Sequence, residues 1–314
     1  MDRDLQVMMS RVARLGEMSE SEAHRIVNQV YEDGIVSRGE AEALFRLNGV
    51  LAHTDPAWTA RFIEAVKDYV LTREPPQGQV TEEEADWLIA RVSNDDAMPS
   101  LDEIDLLLAV LRYANGAADN LGDFTIRAIS NHIKFERVVR PLWVERMRQA
   151  LYAPRGAGGV WVTQTEARIL FEINDAVAFA KNAPAWNDLF ARAIGNHLLA
   201  RAHPSPQTEE EALARELWLS DQSSGVGSFF GRMGGAFGDG WFEKVTHDSG
   251  RAARARMIAA DAALRAAIDV TLEENTWLMK RLGWDAQISP AERALLDFLK
   301  AEAPGFAQGL AVAA

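Results

Sequence analysis

The chain has 314 residues, 48% of them hydrophobic, and a formal net charge of −13. Such a length holds a sizeable core without covalent staples. The absence of cysteine excludes disulfides, thiolate metal sites and cysteine nucleophiles and points to the cytoplasm, while the negative charge argues against broad nucleic-acid binding.

The N-terminal stretch MDRDLQVMMSRVARLGEMSE has charges throughout and lacks the apolar run of a secretory signal. No segment reaches the roughly 18 uncharged apolar residues of a membrane-spanning helix. Ser19 with Glu22 opens the first predicted helix, in a pattern where the hydroxyl accepts from the N3 amide and the Glu reaches back to the N-cap amide. Ser37 with Glu40 opens a second, whose Leu44, Leu47 and Leu51 form an apolar stripe. Pro56 stands where proline starts a third helix.

The same order then returns. Thr81 with Glu84 and Ser100 with Glu103 open two more helices, the latter carrying Ile104, Leu107, Leu108 and Leu111 on one face. Ser37, Ser100 and Thr163 are 63 residues apart, as are Glu40, Glu103 and Glu166, and Ser289 with Glu292 falls two periods further on. The upstream element recurs at Ser19, Thr81, Thr208 and Thr271, and is missing only near 144. Pro141, Pro184 and Pro304 again sit at helix starts. An apolar residue precedes most caps (Met18, Val36, Val80, Val162, Val270 and Ile288), in the place of a hydrophobic staple.

The chain is therefore predicted to be all-α, with five three-helix copies of about 63 residues stacked as a solenoid-like or compact superhelical array. The copies span approximately 18–80, 81–140, 141–207, 208–270 and 271–314, forming a single array over 1–314. Asn131-His132 and Asn196-His197 occupy matching places on the third helix, where the reading favours a structural hydrogen bond to a neighbouring copy.

Between copies two and three, Lys134, Arg137, Arg140, Arg146, Arg148 and Arg155 stand against Glu136 and Glu145, leaving +4. This stretch reads as a solvated helix face or as a docking face for an acidic partner, with Arg137, Arg140 and Arg148 as candidates. The fourth copy breaks the pattern. Where its second helix belongs, the irregular segment 222–248 holds seven glycines in sixteen residues over 225–240, each costing about 1 kcal/mol in a helix relative to alanine. Its Phe229, Phe230, Met233, Phe237, Trp241 and Phe242 are too apolar for a linker. They read as a docking loop for another protein or a peripheral membrane surface, or as a plug for the array's own core.

The segment Tyr31-Glu-Asp33-Gly34-Ile-Val36-Ser37-Arg-Gly-Glu40 resembles the helical hairpin of TerB-like (tellurite-resistance) domains and the second half of an EF-hand loop. The resemblance covers the hairpins and implies a helical, cytoplasmic or membrane-associated protein linked to stress responses and divalent metals. Calcium or magnesium would then be the cofactor, held by Asp33 and Glu40 in the first hairpin or by Asn94, Asp96 and Glu103 in the second. With Glu40 as the final loop ligand, Tyr31 and Gln29 occupy places that require acids, so helix capping accounts better for these residues.

No spacing of the six histidines suits a metal, and no Gly-x-Ser-x-Gly occurs. The reading is a non-enzymatic cytoplasmic interaction or scaffold protein without a cofactor, whose partner is another protein and not nucleic acid. A TerB-like metal-responsive stress protein is the alternative.

Overall fold

The computed structural model describes residues 3–16, 18–31, 34–51, 55–72, 77–93, 98–153, 162–200, 278, 282 and 288–302. Among these the chain is helical almost throughout. Eleven helices follow in order: α1 (Arg3–Leu15), α2 (Glu20–Val30), α3 (Arg38–Val50), α4 (Pro56–Thr72), α5 (Glu82–Val92), α6 (Leu101–Tyr113), α7 (Asp119–Glu136), α8 (Pro141–Leu151), α9 (Gln164–Val177), α10 (Pro184–Ala200) and α11 (Pro290–Glu302). None of the described helices is long and apolar enough to cross a membrane.

Helix starts follow local chemistry. Full capping boxes form at Ser19, Ser37, Thr81, Ser100 and Thr163. Ser289 and Glu292 exchange the same pair of bonds, at 2.7 and 3.2 Å. Pro56, Pro141 and Pro184 each begin a helix. Helix α8 has Arg140 at its N-cap with no side-chain bond and relies on the proline. Thr208, Thr271 and Pro304 lie outside the described residues. Val36, Val80 and Val162 are buried ahead of their caps, whereas Ile288 is 47% exposed and is no staple. The reason is that the Ser289 cap is itself buried and receives the Asn174 amide at 3.0 Å, leaving the preceding residue turned outward.

The Ser19 cap predicts an acid-dependent cost. Hydrogen bonds from the Ser19 hydroxyl and amide, aided by Arg11 and Arg25, hold the Glu22 carboxyl below its usual range against the opposing effect of burial. Because the folded-state value is depressed, this stabilisation is present above the ordinary carboxylate range and is lost as pH falls through the folded value. Ser19→Ala should cost about 1 kcal/mol near neutral pH. In denaturant melts, the gap from wild type should narrow in acid.

Two compact bodies divide the chain, one comprising Met1–His132 with Ala153–Gly156 and the other Ile133–Tyr152 with Ala157–Ala314. In the first, Trp58, Phe62, Leu44, Leu47, Leu88 and Leu107 are buried together where α3, α4, α5 and α6 meet. Among its described residues a parallel strand pair interrupts the helices, β1 (Gln79–Val80) and β2 (Gly116–Ala117), in register Gln79 with Gly116 and Val80 with Ala117. Gly78 makes this possible. Its φ is +81°, and a Cβ there would lie 2.5 Å from the side-chain Nδ2 of Asn115.

In the second body α10 packs against α8, α9 and, most extensively, α11. Trp186, Phe190 and Phe171 fill the space beneath it, with the two phenylalanine rings edge to face at 5.0 Å. Asn174 on α9 holds the buried N-terminus of α11.

Candidate functional site

The candidate metal ligands separate by role. Glu40 accepts from the Ser37 amide at 2.8 Å and its hydroxyl at 2.7 Å, and Glu103 accepts from the Ser100 amide at 2.8 Å. Both carboxylates are engaged in helix capping. Asp33, Asn94 and Asp96 lie outside the described residues. Among the described residues no three His, Asp or Glu side chains gather as a metal would require. Phe229, Phe230, Met233, Phe237, Trp241 and Phe242 also lie outside them.

Each of the two histidines makes a hydrogen bond within its own predicted copy. His132 donates from Nε2 to the Pro99 carbonyl, and His197 from Nδ1 to the Val162 carbonyl, each at 2.7 Å. In both cases the acceptor is the residue just before a helix cap. Asn196 adds a second link by accepting from the Val162 amide at 2.7 Å. These rings thus pin the entry to a helix.

The basic stretch resolves into paired and unpaired charge. Arg148 contacts Glu145 at 2.8 Å, Arg140 contacts Glu136 at 2.9 Å, and Lys134 reaches Glu172 on α9 at 3.0 Å. Arg146 lies over the Trp143 ring, 5.7 Å from its centre. Arg155 is outside the described residues. Glu172 lies beyond the 134–155 window, so a tally of that window overstates the positive charge of this face. Arg137 is exposed and forms no ion pair among the described residues.

The turn bearing Arg137 is built firmly. Arg137 has φ +55°, a left-handed conformation that ends α7 and is usually left to glycine or asparagine. Val139 follows, fully buried. Its amide donates to the Asn182 side-chain carbonyl at 2.9 Å, and its own carbonyl accepts from the Ala183 amide at 2.8 Å. The Asn182 side chain also donates to the Val177 carbonyl at 2.8 Å. One asparagine therefore joins the α7–α8 turn to the α9–α10 turn.

Large apolar side chains flank this joint on its exposed side. Phe135 is 76% exposed and Phe179 68% exposed. Leu142, at the start of α8, is also exposed. Arg137 and Arg140 stand between Phe135 and Leu142 in the chain.

Charge counting missed the two phenylalanines, although a helical signal was there for the first. Ile126, Ile129 and Ile133 form the buried stripe of α7, and Phe135 comes two residues after its last member, on the opposite face. Phe179 lies in the turn just beyond Val177, the buried end of the α9 stripe, where no helical period applies. Comparison of the chain with protein families, curated proteins and solved structures finds no match.

Proposed function

We propose that the chain is a non-enzymatic cytoplasmic interaction or scaffold protein built on a five-copy helical array. The single observation that carries the interaction role is the exposure of Phe135 and Phe179 beside Arg137 and Arg140 on two turns locked together by Asn182. Solvent-facing phenylalanines lose free energy in water and regain it only against an apolar surface. Aromatic and arginine side chains are the residue types that concentrate binding energy at interfaces.

The array reading is supported by contacts that recur at roughly the spacing of the predicted copies. Ala118 donates to the Val80 carbonyl at 3.0 Å as Ala183 donates to that of Val139, and His132 and His197 both cap the carbonyl before a second helix. In this reading the Gly/aromatic segment 222–248 is a further docking surface.

Chemical crosslinking in native lysate, followed by recovery of the tagged full-length chain, tests the role. A discrete partner protein is expected with wild type, and its yield should fall at least about tenfold with Phe135→Ser/Phe179→Ser. Deleting 224–240 should lower it further. Equal recovery from all three proteins would remove the interaction role from these surfaces.

A further inference from the structure

We infer that the joined α7–α8 and α9–α10 turns bind a short acidic peptide segment carrying an aromatic or long aliphatic anchor. This inference rests on the interaction role proposed above and specifies the chemistry of the partner.

Charge selects the class. On the two turns and the helix ends beside them Lys134, Arg137, Arg140, Arg168 and Lys181 stand against Glu136, Glu172 and Asp175, five cations to three acids, on a chain whose net charge is −13. Glu136 already holds Arg140 at 2.9 Å, and Glu172 holds Lys134 at 3.0 Å with Arg168 at 3.9 Å. The guanidinium of Arg137 is left for an incoming carboxylate. A basic segment would meet a face of its own sign.

Size selects a peptide over a larger polyanion. Electrostatic attraction reaches only about 8–10 Å in physiological salt. A segment of a few residues feels this face alone. A nucleic acid or an anionic bilayer extends over far more of a chain whose net charge is −13 and is repelled by it.

The apolar half of the recognition comes from Phe135 and Phe179, which offer flat, exposed area on either side of the joint. The joint itself is pre-organised. Val139 is held through both its amide and its carbonyl, so little backbone entropy remains to be lost on binding.

Selection of random 12-residue displayed peptides on the immobilised full-length chain tests this. Selected sequences should be net acidic with at least one Trp, Phe or Leu, and their affinity should weaken as salt rises. Phe135→Ser/Phe179→Ser should weaken the best synthetic peptide by about tenfold or more. Arg137→Gly should weaken it about fivefold, the loss of one charged contact. Glycine is at ease at positive φ, so this variant should keep the wild-type melting temperature and separates lost charge from lost fold.

Failure to select any peptide, selection of neutral or basic peptides, or affinity unchanged by these variants would overturn the inference. So would Phe135- and Phe179-dependent sedimentation with phosphatidylserine vesicles, or loss of self-association in the double variant, which would assign the surface to lipid or to a second copy. If crosslinked partner recovery still depends on the phenylalanines while the selected peptides are not acidic, the interaction role stands and the acidic class falls. If recovery is independent of them, the role itself fails at this surface.

Discussion

Gly195→Ala should force α11 away from α10. A Cβ at Gly195 would lie 2.3 Å from Cε1 of Phe298, 2.9 Å from Cδ1 and 3.1 Å from Cζ. No flexible chain end is available to yield, because the contact is a rigid ring that is itself buried. Relief requires either an off-rotamer ring or a shift of one helix, at a cost of about 1–3 kcal/mol. The Asn174 to Ser289 hydrogen bond of 3.0 Å would be strained by the same movement, which makes the upper end of that range the expectation.

Because a displaced α11 exposes its own apolar face, Gly195→Ala should raise amide exchange in α11 and along α10 by roughly tenfold or more, the factor that corresponds to 1.4 kcal/mol. Phe298→Leu costs stability in the wild type but should be partly compensated in the Gly195→Ala background, since it removes the clashing atoms. The two sites touch, so non-additivity is the signature to measure. Wild-type stability of Gly195→Ala would contradict the close approach of α10 and α11.

Trp58→Phe should cost about 1–2 kcal/mol more than Trp186→Phe, although both tryptophans are fully buried. Trp58 donates from Nε1 to the Asn48 side-chain oxygen at 2.9 Å, in the interior. Removing the donor leaves a buried carbonyl without it. Trp186 Nε1 is also buried, yet finds no hydrogen-bond partner among the described residues. Phenylalanine there loses volume but also removes a buried donor that no described residue satisfies.

The contrast has a structural origin. Asn48 and Asn174 are 126 residues apart, two periods of 63, and so hold equivalent places on α3 and α9. Asn48 turns its side-chain oxygen to Trp58, whereas Asn174 gives its side-chain amide to Ser289. Amide exchange read separately on α4 and α10 measures each cost within its own body. Equal effects at the two tryptophans would refute the assignment of a polar contribution to Trp58 alone.

What the sequence by itself determined is the local part of the structure. A capping box closes within three residues, so Ser37 with Glu40 or Thr163 with Glu166 needs nothing distant to form. Pro56, Pro141 and Pro184 act through their own fixed φ, and the stripes of Leu44 and Leu47 or Ile104, Leu107 and Leu111 follow from helical geometry. All-α character followed from these signals together. The parallel pairing of Val80 with Ala117 did not, because two-residue strands have no period to read and depend on close approach at Gly78.

Tertiary structure alone decided which charges remain available and which helix follows which. Lys134 is neutralised by Glu172, 38 residues away, and Arg137 stays open because its turn points it outward. Phe135 and Phe179 gain meaning only when Asn182 brings their turns together. Helix α4 packs on α6, the second helix of the next predicted copy, and α10 packs on α11, which begins at residue 290. Helices are paired by fit and not by chain order: Gly195 makes room for Phe298, and Asn174 reaches Ser289.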